Sequence, residues 1–61
     1  MAIETRVAQK DKLHTLLSIQ RLIEKAGYPN LPELTFMINQ ACAVMEAEDV
    51  AYVREQIAKL P

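Results

Sequence analysis

Leu31 to Met45, LPELTFMINQACAVM, is the densest apolar run of this 61-residue chain and the stretch on which its fold turns. Pro32 sits where a helix's first turn tolerates a missing N–H, Asn30 is placed to cap that turn, and Glu33 completes an Asn-x-x-Glu variant of the capping box. Leu34, Met37, Ile38, Ala41, Val44 and Met45 then recur at helical spacing as one apolar face. Phe36 falls off that face, and so do Ala43 and Ala47. The expectation is a helix against which the rest of the chain folds.

Upstream, Leu13, Leu16, Leu17, Gln20 and Ile23 mark a helix over Gln9–Ala26, with Asp11 near its start and Lys25 near its end. Ile19, Leu22 and Ala26 widen its apolar arc to roughly 220°, against the ~100° that one packing partner requires, so this helix should touch more than one neighbour. Gly27 suits a left-handed C-cap, and Tyr28-Pro29-Asn30-Leu31-Pro32 makes a connection short enough for an antiparallel hairpin. Residues 2–8, AIETRVA, alternate as a strand would and also place Ile3 and Val7 one helical turn apart. A helix start or a frayed arm over residues 1–8 is favoured over a strand.

Downstream, the phase breaks near Glu46–Asp49. Val50, Val53, Ile57 and Leu60 form their own stripe, offset by about 110° from the preceding one, which predicts a short third helix over about Asp49–Leu60. A single helix from Leu31 to Leu60 is the competing reading, because no Gly or Pro intervenes. The fold class expected is all-α: one domain over residues 1–61, an antiparallel helical hairpin with a short third helix, assembled as a homodimer.

Size motivates the dimer. A chain this short buries only about 60% of its unfolded surface, and its core supplies roughly 3–5 kcal/mol net. Cys42 is the only cysteine, so no internal disulfide forms, and Cys42 with His14 falls short of a zinc site. Residues 1–30 carry five basic and three acidic side chains, residues 31–61 two basic and five acidic, so the halves attract within one chain or between two. A 51% hydrophobic composition excludes a disordered tail. No run reaches the ~18–20 apolar residues of a membrane span, no secretory leader is apparent, and a free thiol fits the cytoplasm.

No residue pattern carries catalysis, a cofactor or a metal. Cys42 reads as a small core hydrophobe, His14 as a surface residue, and Glu46, Glu48 and Asp49 as a solvated helix junction. Arg6, Lys10 and Lys12 read as a solvated basic flank, since no aromatic interleaves with them. The residues left over are apolar and off the packing stripes: Phe36, Ala43, Ala47 and Tyr52, with Ile19 and Leu22 at the edge of the wide arc. Aromatic side chains so placed suit interface anchors. The leading expectation is a non-enzymatic helical interaction module that pairs with itself and with another protein as regulator, inhibitor or adaptor. The alternative is a DNA-binding dimer: with residues 3–7 as a strand, the element order resembles that of ribbon-helix-helix repressors, Glu4 and Arg6 facing the groove.

Overall fold

Three helices make up the structure, a computed structural model that describes residues 3–61: α1, Ile3–Lys25; α2, Pro32–Ala43; and α3, Ala47–Ala58. Among the described residues there is no strand. Ile3 to Ala8 are the first turns of α1, so the extended arm of the repressor-like element order is not what these residues adopt. The helix runs through residues 3–8, the helix start favoured there over a strand, and continues into the segment expected from Gln9; Asp11 lies inside it, its carbonyl accepting a hydrogen bond from Thr15 Oγ1 at 3.0 Å.

The organising element is α1, not α2. It packs against both other helices, which barely touch each other. The inner part of its apolar arc is covered by α2 and α3, while Ile19, Leu22 and Ala26, which widen the arc, stay exposed. Leu13 is wholly buried, Leu16 and Leu17 nearly so, and Leu34, Ile38 and Ala41 of α2 and Val53 of α3 complete the core. Ile23, Cys42, Met45, Val50 and Ile57 line its rim.

Direction follows from the contacts. Ile23 near the end of α1 shares a cavity with Leu31 before α2, and Gln9 near the start of α1 shares one with Val44 after α2, so α2 runs back along α1. Arg6 pairs with Glu48 and Asp49 at the start of α3, and Arg21 donates to the carbonyls of Ile57 and Leu60 at its end, so α3 runs parallel to α1. The thinnest dimension is 16 Å, against about 10–12 Å for one helix with its side chains. With α2 and α3 both against α1 and little contact between them, each of the two is covered mainly on the side that faces α1.

The turns follow their residues. Gly27 has φ +80°, donates to the Glu24 carbonyl, and is followed by Tyr28 donating to the Ile23 carbonyl; this pair of bonds closes α1 in a Schellman motif. The break after α2 is a turn in which the Met45 N–H bonds the Cys42 carbonyl, before α3 starts from Glu46. The third helix thus begins two residues earlier than the expected Asp49. The cap of α2 also differs: Leu31 occupies the N-cap with no side-chain cap bond, and Asn30 instead donates to Thr35 Oγ1 at 3.0 Å.

Candidate functional site

The outer face of α2 is the surface that packing leaves unexplained. Leu34, Ile38 and Ala41 point at α1, but Met37 and Val44, expected on the same stripe, do not: they are 44% and 60% exposed. The stripe was too wide for one neighbour, and a helix that meets only α1 has to turn its flanks outward. Phe36 is 62% exposed and Ala43 is exposed as well, as their positions off the stripe imply. Phe36, Met37, Gln40, Ala43 and Val44 therefore share an outward face. Glu33 is the only charged residue in α2, and none lies between Leu34 and Met45. An exposed helix normally turns charged residues outward, whereas one apolar on all sides is normally covered.

Beside this face lies an open cavity of about 590 Å³ lined by Gln9, Lys12, Gln40, Ala41, Ala43 and Val44. Small side chains make it: alanine at 41 and 43 leaves a trough between α2 and the first half of α1.

The other expected site residues lie elsewhere. Tyr52 is 54% exposed on α3, with the Lys10 ammonium 5.6 Å from its ring centroid. Leu22, 67% exposed, borders a shallow hollow with Leu60 and Pro61, where α1 meets the end of α3. Ile19 is half-exposed on α1, and Ala47 is exposed at the first position of α3. The fold brings Phe36 and Ala43 together and leaves Tyr52 and Leu22 on the α3 side. Met37 and Val44 join this surface although the periodicity placed them on the packing face, Lys12 of α1 borders it, and Gln40 is the member that the periodicity argument passed over. Their signal was present as a second period, 36-37-40-43-44, inside the same apolar run.

At the acidic junction Glu46 and Glu48 are exposed, as a solvated helix start implies, and Asp49 is the exception. Asp49 is buried, 6% exposed, and accepts two hydrogen bonds from Arg6 at 2.8 Å, Nε to Oδ2 and Nη2 to Oδ1; the same Nη2 meets Glu48 Oε1 at 2.8 Å. These bonds hold the Asp49 carboxyl below its ordinary pKa of 3.8, and in turn raise the pKa of the Arg6 guanidinium. Arg6 is thus a clamp between α1 and α3, not a free basic flank, and this part of the attraction between the chain's halves is spent within one molecule. Cys42 is half-buried at the core rim, its Sγ 4.0 Å from Arg54 Nη2. His14 is exposed, with Ser18 Oγ 3.4 Å from its Nδ1.

Among the described residues no three His, Cys, Asp or Glu side chains gather as metal ligands, and no helix is long and apolar enough to cross a membrane. No protein family matches the chain, and neither curated proteins nor solved structures give a match. The class defined by fold and surface is a three-helix all-α domain with an exposed helix face that is mostly apolar and carries one charge, Glu33, at its start.

Proposed function

We propose that this protein is a small non-enzymatic helical interaction module that works as a homodimer and acts on a partner protein as regulator, inhibitor or adaptor. One observation carries the reading: α2 exposes Phe36, Met37 and Val44 together on the side turned away from α1. Exposed Phe36, Met37 and Val44 offer on the order of 300 Å² of apolar side chain, the size of the largest apolar patch on a typical monomer, which is often functional. Tyr52 and Leu22, on the α3 side, supply separate apolar anchors for a different protein.

Phe36→Asp and Val44→Lys test it. Both variants are expected to keep wild-type helix content and dilute-solution melting, because both side chains are largely exposed, while sedimentation shows loss of association. Loss of helix content in either variant would make these residues part of the core and defeat the reading.

A further inference from the structure

The two connections of this fold are built from different residues. Gly27, Pro29, Asn30 and Pro32 stand between α1 and α2, and a helix cannot run through them. Val44, Met45 and Glu46 stand between α2 and α3, and no Gly or Pro occurs from Glu33 to Leu60. Among the described residues only Gly27 has a positive φ, and Glu46 caps α3 without a side-chain bond. Val44 (φ −100°, ψ 0°) stays near helical geometry, and Glu46 (φ −65°, ψ 141°) already has a helical φ. A rotation of ψ at Glu46 is the largest change that either of these two needs to become helical. We infer that α2 and α3 join into one helix when α3 leaves its own α1, and that α3 then docks on α1 of a second copy, giving an exchanged dimer. This pairing does not use the outer face of α2 and does not rest on it.

What holds α3 in place belongs to α1. Arg6 meets Asp49 and Glu48 at the start of α3, and Arg21 donates to the carbonyls of Ile57 and Leu60 at its end. Val53 enters the core that Leu13, Leu16 and Leu17 of α1 supply. A second copy presents the same Arg6, Arg21 and leucines, so these contacts re-form between chains, charge against charge. Between α2 and α3 there is little contact to lose. The approach of Arg54 Nη2 to Cys42 Sγ, 4.0 Å, is given up. In return residues 44–46 enter one helix from Pro32 to Ala58, about 40 Å long at ~1.5 Å per residue, and Met45 and Glu46 are good helix formers.

The directions of the helices suit the exchange. α2 ends beside Gln9 and α3 starts beside Arg6, both within the first two turns of α1. A straight hinge therefore brings the first turns of the two α1 helices near each other, where Ile3 and Val7 are exposed in the single chain. The packing stripes of the two halves are offset by about 110°, so the two α1 helices lie on different sides of the joined helix. The exchange is twofold and closes at two copies. A hinge this short holds α3 near its own α1 at an effective concentration in the millimolar range, so the closed chain prevails in dilute samples. Exchange takes place while chains fold at high concentration, because a chain already closed must first undock α3.

Mixing two charge-reversed full chains, Arg6→Glu and Asp49→Arg, tests the exchange. Each alone sets like charges between α1 and α3, both in the closed chain and in its own exchanged dimer. In the mixed exchanged dimer both junctions pair opposite charges: the introduced Glu meets the introduced Arg, and native Arg6 meets native Asp49. The two chains are unfolded in urea and refolded together in equal amounts. Native mass spectrometry is expected to find the one-to-one dimer well above the share of about half that random pairing gives, with a Tm above that of either chain alone. Both changes placed in one chain should restore the closed monomer. Glu46→Pro keeps φ at −65° but cannot enter the interior of a helix, so in both chains it should remove the mixed dimer. Random pairing with no gain in Tm, or a mixed dimer that survives Glu46→Pro, would overturn the inference. Wild type refolded from urea at about 1 mM should likewise give a two-chain species that Glu46→Pro removes and Phe36→Asp does not. The reverse pattern would assign that dimer to the outer face of α2 and overturn the exchange.

Discussion

Leu13→Ala should come close to unfolding this protein. Leu13 is the one large side chain fully enclosed, at the centre of α1 where α2 and α3 meet it. The substitution removes three carbon groups, about 2.4 kcal/mol at ~0.8 kcal/mol each. It also leaves a cavity on the order of 50–80 Å³, costing a further 1–2 kcal/mol at ~24 cal/mol per Å³. A domain this small has little second shell to collapse inward, so the sum of about 3.5–4.5 kcal/mol should be felt nearly in full. A chain of this size has roughly 3–5 kcal/mol to lose. Urea titration followed by circular dichroism, at a concentration dilute enough to keep the protein monomeric, is the assay; the variant should begin unfolding without urea. Its Tm should fall by more than about 15 °C, at 4–8 °C per kcal/mol for a domain this small. Leu22→Ala on the same helix, at a side chain 67% exposed, should change stability by less than about 0.5 kcal/mol. Equal effects of the two substitutions would refute the assignment of α1 as the hub.

Other consequences are independent of that one. Gly27→Ala meets no atom within 4 Å of the new Cβ, so its cost is that of a left-handed residue alone, about 1 kcal/mol, read as a Tm loss of 4–8 °C. Asp49 has its folded pKa depressed by Arg6, so its contribution is fully present above the unfolded value of 3.8 and lost as pH falls through the lower folded value. Acid titration of stability should therefore show a drop below pH 3.8 that Asp49→Asn flattens while lowering stability at pH 7; an unchanged profile in the variant would remove the clamp. Amide exchange in α3 should speed up in Arg6→Ala more than exchange in α2, because Arg6 ties α1 to α3 alone. Phe36→Ala should weaken self-association with helix content unchanged, whereas Tyr52→Ala, beside Lys10, should leave self-association intact and weaken only contact with a different protein.

Much of the architecture could be read from local patterns. The 13-16-17-20-23 spacing marks the inner face of α1, Gly27 marks its end, and the phase shift after Met45 marks the turn before α3. What could not be read are the relations that depend on distant partners. Arg6 and Asp49 are 43 residues apart, and nothing local distinguishes a paired carboxylate from a solvated one. The run LPELTFMINQACAVM looks like the centre of the fold because it is the densest apolar stretch, but Phe36, Met37 and Val44 within it face outward. Met37 and Val44 fit the inner stripe by spacing and are turned out because α2 has one neighbour, a fact about the layer and not about the helix. Phe36 and Ala43 were legible as outliers because they oppose Ile38 and Ala41 on any helical projection.

Absolute mass by light scattering on a sizing column, taken from about 1 µM to 1 mM, bears most directly on the uncovered face of α2. Self-pairing through this face predicts a rise from one chain mass of 6.9 kDa to two with no growth beyond two, and Phe36→Asp should abolish the rise. A mass that stays at one chain throughout, or that climbs past two copies, would contradict it.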